Sequence, residues 1–135
     1  MKLDFSQAQR NIDRPDGDVS LDEAIKIVEI YVSSQKDFWE SADDPFAISI
    51  FSFAKDRKNF IELAIDSKTD FRARLVCPIP KEFLFLRWMG EYSKEWHIPT
   101  EVELIQIVKH YFQMNDEAMQ SYFDKLPYKL SPSRY

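Results

Sequence analysis

The sequence predicts an α+β domain: a four-stranded antiparallel meander with helices packed on one face, in the order α-β-β-β-β-α-α. Two capping boxes, each followed by apolar residues at helical spacing, indicate helices on both sides of the central segment. Within that segment apolar and polar residues alternate, with short polar turns between the runs. Such short turns join antiparallel neighbours, because a parallel connection needs a dozen residues or more.

The composition fits one globular domain and excludes several nucleotide-binding classes. The chain has 135 residues, of which 44% are hydrophobic, 15% aromatic and 30% charged. Domains of this size bury a sizeable core without disulfides or metals. Only two residues are glycine. A glycine-rich phosphate loop or dinucleotide fingerprint therefore cannot be assembled from this chain.

The first predicted helix begins at a capping box made by Ser20 and Glu23. Its apolar stripe predicts a helix from Leu21 to Ser34, which a weaker phase extends to Ser41. Residues 1–18 are mostly polar, and we expect them to form a loose N-terminal arm, with a short strand over Lys2–Phe5 as an option.

Four strands are predicted next. The first three are separated by polar turns and extend over Phe46–Ala54, Phe60–Asp66 and Phe71–Cys77. The fourth, Phe83–Tyr92, is rich in residues that favour strands, although its apolar spacing also fits a helix. That ambiguity leaves open whether Trp88 lies in the core or on the surface.

Two more helices are predicted after the sheet. A second capping box at Thr100 begins a helix over Glu101–Gln113, and Asn115 caps a last helix that Pro127 ends. We therefore expect a single domain over residues 19–127 and a loose tail over 128–135.

The charge of the chain is acidic and unevenly distributed. The formal net charge is −5, and the first 70 residues carry 15 acidic and nine basic side chains. Nucleic-acid binding needs a basic footprint, which is missing. No run of residues has the length of a signal peptide or a membrane span. Together with a lone cysteine these features favour a cytoplasmic protein in a reducing compartment.

The sequence offers no catalytic constellation. Its soft metal ligands are His97, His110 and Cys77, without zinc-site spacing, so neither a metal nor a cofactor is expected. Cys77 is predicted to face the core, where a thiol is inert. Adjacent carboxylates lie at predicted helix ends, where capping and the helix dipole explain them better than acid–base chemistry does.

One candidate recognition surface is the polar face of the predicted sheet. The strand phases place Glu62 and Asp66 beside Arg72 and Arg74 on a neighbouring strand, and Trp88 joins them if its phase allows. A solvated face with cross-strand ion pairs is the alternative interpretation.

A second candidate surface lies near the end of the first predicted helix. Four carboxylates surround a tryptophan there: Asp37, Trp39, Glu40, Asp43 and Asp44. Acidic groups at a helix C-terminus oppose the helix dipole, which suggests a role beyond folding. Such a patch would steer a basic partner towards the protein. Alternatively, the tryptophan packs in the core and the carboxylates are simply solvated.

These features favour a non-catalytic protein-binding module that masks a basic partner protein, such as a bacterial toxin or effector. Small acidic inhibitors, immunity-type proteins and chaperones belong to this class. An alternative is a small-molecule-binding domain or enzyme with an aromatic-lined pocket between sheet and helices. A homo-oligomer that pairs through a strand edge or an aromatic patch is a third class.

Overall fold

The computed structural model of the protein describes residues 1–8, 12–41, 49–67 and 70–128, excepting the side chains of residues 34–41 and 67. Its helices are α1 (Leu21–Ser41), α2 (Glu101–Gln113) and α3 (Asp116–Asp124). Its strands are β1 (Leu3–Gln7), β2 (Gly17–Val19), β3 (Ser49–Asp56), β4 (Asn59–Ser67), β5 (Asp70–Phe83) and β6 (Leu86–Ile98).

The strands form one antiparallel sheet in the order β2-β1-β3-β4-β5-β6. The predicted α+β class is therefore confirmed, with three helices and an antiparallel sheet. The predicted strand number is wrong, because the described residues form a sheet of six strands rather than four. The element order is also different, since β1 and β2 precede α1 and pair onto β3 through β1.

The two extra strands come from the segment expected to be a loose arm. They are five and three residues long, and they place Leu3, Phe5 and Val19 in the core. Three apolar positions spread over two short strands give too weak an alternation to predict a strand pair. Tertiary contacts stabilise these two strands, because β1 lies between β2 and β3 in the sheet. Helix α1 connects β2 to β3 along the chain.

The core lies between the sheet and the three helices. Every second residue of the central strands points to this side, and the contributions of β3, β4 and β5 include Phe51, Phe53, Ile61, Leu63, Ile65, Phe71 and Leu75. Tyr31 of α1 stacks on Phe51, with ring centroids 4.1 Å apart, and its hydroxyl donates to Gln7 at 2.6 Å. Full burial of one such apolar side chain stabilises the fold by about 1.5–3 kcal/mol.

The predicted helix starts are confirmed by their caps. Ser20 and Glu23 form the reciprocal pair of a capping box, with distances of 3.1 and 3.2 Å. Thr100 accepts from the amide of Glu103 at 3.2 Å, and Asn115 accepts from the amide of Ala118 at 2.8 Å. These local bonds satisfy amides that have no partner inside the helix.

The fourth strand predicted over Phe83–Tyr92 is only partly correct, because Phe83 ends β5, Leu84 and Phe85 form a turn, and β6 begins at Leu86 and continues to Ile98. The predicted end of the third strand at Cys77 is wrong, since β5 continues to Phe83. The register between β4 and β5 runs as far as Phe60 opposite Val76, whereas the pairing of β5 with β6 continues to Phe83 opposite Leu86. Residues 78–91 therefore project beyond the rest of the sheet as a two-stranded ribbon, which we call the hairpin arm.

Candidate functional site

The hairpin arm exposes a cluster of large apolar side chains. Their exposed fractions range from 47% for Trp88 to 99% for Phe85. The cluster consists of Phe83, Leu84, Phe85, Leu86, Trp88 and Met89. Single exposed apolar residues are ordinary, whereas large groups of them are typical of interaction sites.

The two faces of the hairpin arm differ in character. Side chains alternate along a strand, so the side that faces the helices in the body of the sheet continues onto the arm with Phe83, Leu86 and Trp88. The opposite face carries Met89 together with Glu82 and Arg87, which form an exposed ion pair at 3.6 Å. Exposed pairs of this kind contribute little to stability. The apolar face is therefore the main feature of the surface of the arm.

Helix α3 anchors the base of the hairpin arm. The amide group of Gln120 donates to the Cys77 sulfur at 3.1 Å and to the carbonyl of Pro78 at 3.2 Å. On the other strand, the hydroxyl of Tyr92 donates to Asp124 at 2.6 Å. The exposed apolar cluster begins past these contacts, so it continues the sheet face that the helices cover in the body.

A close approach across Gly90 shapes the middle of the arm. A Cβ atom added to Gly90 would lie 2.6 Å from Cε and 2.7 Å from Cδ of Lys81. The absence of a side chain therefore lets the aliphatic stem of Lys81 lie flat across the neighbouring strand. This contact orders a long basic side chain on the same face as Phe83 and Leu86.

The turn of the hairpin is tight and carries conformational strain. Phe83 pairs with Leu86 around a two-residue loop, Leu84–Phe85, and Leu84 has a φ of 57°. A positive φ at the first loop residue alone is typical of a type II′ turn, which usually has glycine there. An apolar residue at this position places its side chain at the tip of the arm despite the backbone cost.

The structure brings together the four charged residues predicted for the polar face. Glu62 lies opposite Arg74 in the register of β4 and β5, and the two side chains are 3.4 Å apart. Arg72 donates to both carboxylate oxygens of Asp66, at 2.6 and 2.8 Å. Each arginine is thus paired with a carboxylate on the neighbouring strand. This is the arrangement expected from the alternative interpretation, in which the polar face carries cross-strand ion pairs.

Two further members of this polar face were missed by sequence reasoning. Glu95 accepts from Arg72 at 3.2 Å, and His97 lies opposite Arg72 in the register of β5 and β6. Both lie on the part of β6 beyond the predicted strand end at Tyr92. The alternation of Glu95 and His97 with Trp96 and Ile98 was the available signal.

Arg72 is almost completely buried within this network, with 5% of its surface exposed. Burial by itself would lower the pKa of the guanidinium. The hydrogen bonds and charge of Asp66, with the charge of Glu95, outweigh burial and raise the pKa above its ordinary value. A permanently charged arginine thus fixes two carboxylates on neighbouring strands.

Trp88 lies on the apolar face of the hairpin arm rather than in the core or on the polar face. Asp37, Trp39 and Glu40 belong to α1, but their side chains are outside the described part of the structure. Asp43 and Asp44 lie outside the described residues altogether. The acidic surface near the end of α1 therefore stays a prediction.

The described residues offer little that resembles a catalytic centre. Cys77 is buried, and burial raises the pKa of its thiol. Within residues 1–8, 12–41, 49–67 and 70–128 no group of three acidic, histidine or cysteine side chains is placed to hold a metal ion.

A surface groove of about 690 Å³ lies between α1 and α2. Its polar lining includes Lys26, Glu29 and Glu101, on the exposed side of the helices. This position differs from the pocket between sheet and helices that the small-molecule alternative requires.

Comparisons with protein-family models, curated proteins and solved structures found no match to this chain. None of the helices in the described part of the chain is both long and apolar enough to cross a membrane.

Proposed function

We propose that the chain is a non-catalytic protein-binding module whose contact surface is the apolar face of the hairpin arm. The observation that carries this proposal is the group of exposed apolar side chains on this face and at the tip of the arm, which consists of Phe83, Leu84, Phe85, Leu86 and Trp88. A two-stranded ribbon gains nothing in its own stability from apolar side chains that remain in water. The same side chains gain free energy once a partner covers them.

The composition of the cluster suits a binding surface. Burying one phenylalanine, leucine or methionine side chain contributes about 1.5–3 kcal/mol. Association costs several kcal/mol in lost freedom, so a few well-packed anchors are needed for a stable complex. Trp88 and Phe85 are the natural anchors, since large aromatic side chains dominate binding hot spots.

The expected charge of the partner comes from other parts of the molecule. The exposed groups of the arm include both signs, while the chain as a whole has a net charge of −5. At the far edge of the sheet Asp4 lies directly opposite Asp18, and both are exposed. Like charges in direct opposition destabilise a sheet, so their presence there supports attraction of a basic partner.

Together these features support an acidic inhibitor, immunity-type protein or chaperone that masks a basic toxin or effector. In this proposal the apolar arm supplies most of the affinity. The carboxylates raise the association rate by long-range attraction, which salt weakens.

Capture of proteins from an extract of the source organism tests the role of the arm. The Phe85→Ser/Leu86→Ser variant should lose the captured partner, because two exposed apolar side chains are removed without changing the core. Val102→Ser is the control, since Val102 is an apolar residue of α2 that is 69% exposed, as Leu86 is. Capture that survives in the arm variant would refute the proposed surface, whatever the result for the control.

The basic character of the partner needs its own measurement. The Asp4→Lys/Asp18→Lys variant should bind the purified partner more slowly at low salt and show a weaker dependence of the association rate on salt. An unchanged rate at every salt concentration would remove the electrostatic part of the proposal and leave the arm in place.

A further inference from the structure

Within the described part of the chain, no strand pairs with the outer edge of β6. The sheet order places β6 at the end of the sheet, and the strand is 13 residues long. An edge strand presents unpaired backbone N–H and C=O groups, which can template pairing with another strand. The direction of the backbone groups along β6 therefore decides whether another strand can pair with this edge.

Two prolines on β5 show which backbone groups of β6 point away from β5. Pro78 lies opposite Glu91 and Pro80 lies opposite Met89 in the register of the hairpin. Proline has no N–H to donate, and antiparallel pairs alternate between hydrogen-bonded and non-hydrogen-bonded. Both pairs therefore belong to the non-hydrogen-bonded set. The backbone groups of Met89 and Glu91 point away from β5, as do those of Arg87 two residues earlier.

The same prolines protect one edge of the hairpin arm and leave the other open. Their nitrogen atoms face the outer edge of β5, where a strand would otherwise find N–H donors. Proline at an edge is a common device against unwanted strand pairing. On the β6 side of the arm, residues 86–91 contain no proline. Only one of the two edges of the arm is thus blocked.

The sequence of this open edge is complementary to itself. When two β6 strands are placed antiparallel about a two-fold axis at Met89, Arg87 of each copy faces Glu91 of the other. Trp88 then faces Gly90, where the stem of Lys81 already lies. Opposite charges in direct opposition stabilise strand pairs, as does an aromatic ring packed over a cross-strand neighbour.

Other registers lack this complementarity. A two-fold axis at Glu91 places two copies of that carboxylate opposite each other, and an axis at Ser93 places Glu91 opposite Glu95. Axes at Gly90 or Tyr92 put Glu91 opposite uncharged residues. Of these five registers, only the one centred on Met89 pairs opposite charges and contains no pair of like charges.

We propose that two copies of this chain associate through β6, antiparallel about a two-fold axis at Met89. The axis is perpendicular to the sheet, so the helix-side faces of the two arms lie on the same side. Trp88 and Leu86 of both copies then share one apolar platform, and the interface is isologous. The inference is independent of the proposed function, because pairing of the arms requires no other protein.

A charge-swap series tests the pairing and its register. The dimer dissociation constant is measured by sedimentation equilibrium for the complete chain. Arg87→Glu and Glu91→Arg should each weaken the dimer by about tenfold, because two attractive pairs become repulsive. The double variant Arg87→Glu/Glu91→Arg should restore the dimer. Arg57→Glu makes the same change of charge as Arg87→Glu, at an exposed position in the β3–β4 turn, and should have little effect.

Cross-linking provides a second readout that does not depend on charge. Paired Met89 residues would have Cα atoms about 5.5 Å apart, within the range of a disulfide. Met89→Cys should therefore form a covalent dimer under mild oxidation, whereas Val102→Cys should not. Met89 is exposed, so the substitution leaves the core intact.

Several results would overturn the inference. They are a wild-type chain that stays monomeric at every concentration, a dimer unaffected by either single swap, and a failure of the double variant to recover. Binding of the monomer to phosphatidylcholine vesicles through the arm, without dimers, would also overturn it. A wild-type chain that forms no dimer but still captures a partner would contradict this inference and leave the proposed function standing.

Discussion

Arg72 donates two hydrogen bonds to the carboxylate of Asp66, at 2.6 and 2.8 Å, from a side chain that is only 6% exposed. A third bond, at 3.2 Å, reaches Glu95 on the other neighbouring strand. The guanidinium therefore connects β4, β5 and β6 on the face of the sheet away from the helices. Planar, two-bond recognition of a carboxylate is specific to arginine, and lysine would not reproduce it.

Replacing Arg72 should be strongly destabilising. Arg72→Leu leaves Asp66 and Glu95 as largely buried carboxylates without their cation, and we expect a loss of about 3 kcal/mol in the free energy of unfolding. Chemical denaturation measures the loss. Arg57→Leu, at an exposed position in the β3–β4 turn, should change stability by less than about 0.5 kcal/mol. Equal effects of the two variants would contradict the buried network.

The sequence predicted those parts of the fold that depend on local interactions. The capping box at Thr100 and the apolar stripe after it define α2 within the chain itself, and α2 runs from Glu101 to Gln113 as predicted. The alternation along Phe60–Asp66 and Phe71–Cys77 likewise placed Glu62 and Asp66 beside Arg72, because side-chain period two fixes which residues share a face.

The parts that were missed depend on partners distant in sequence. β1 and β2 exist because β3 pairs with β1, which no local pattern reports. The hairpin arm was missed because Pro78 and Pro80 were interpreted as the end of a strand. Proline is nevertheless compatible with an edge position that donates no hydrogen bond, and such a position arises here from the hairpin register. The arm is therefore a tertiary feature with an ambiguous sequence signal.

The hydroxyl of Tyr111 joins the sheet to the helices, and its removal should be costly. It donates at 2.9 Å towards the backbone and side-chain oxygens of Asn59, whose amide group donates to Asp116 at 2.6 Å. Tyr111→Phe leaves these buried oxygens with one donor fewer, and we expect a loss of about 1–3 kcal/mol. Thermal and chemical unfolding measure it.

The control for this variant is Asn59→Ala, which removes the side-chain acceptor and keeps the backbone one. If the hydroxyl acts through this network, adding Tyr111→Phe to Asn59→Ala should cost less than adding it to the wild type. Fully additive effects would show that the two residues contribute independently.

Glu23 should make the start of α1 sensitive to acid. The hydrogen bond from Arg14 and then the bond from the backbone of Ser20 lower the pKa of Glu23 from 4.5 to about 2. A carboxylate with a depressed pKa in the folded state stabilises the fold above its unfolded value of 4.5. This contribution is lost as the pH falls from 4.5 towards 2.

We therefore expect Glu23→Gln to be less stable than the wild type at neutral pH. The difference should shrink below pH 4.5 and nearly vanish at about pH 2. Denaturant titrations across this range measure it. Arg14→Met removes the largest cause of the shift, so Glu23→Gln should have a smaller effect in that background. A difference that is constant with pH would exclude the carboxylate as its source.

Leu84 holds a backbone conformation that glycine adopts without strain, so Leu84→Gly should tighten the hairpin turn. A leucine at φ 57° costs about 1–2 kcal/mol relative to the right-handed region. The hairpin arm extends beyond the helices, and such segments open locally without global unfolding. We therefore expect slower amide hydrogen exchange at Phe83 and Leu86, by several-fold, with little change in global stability.

In Phe85→Gly the glycine replaces a residue with negative φ, so exchange should become faster. Faster exchange in both variants would show that the turn does not have the type II′ geometry.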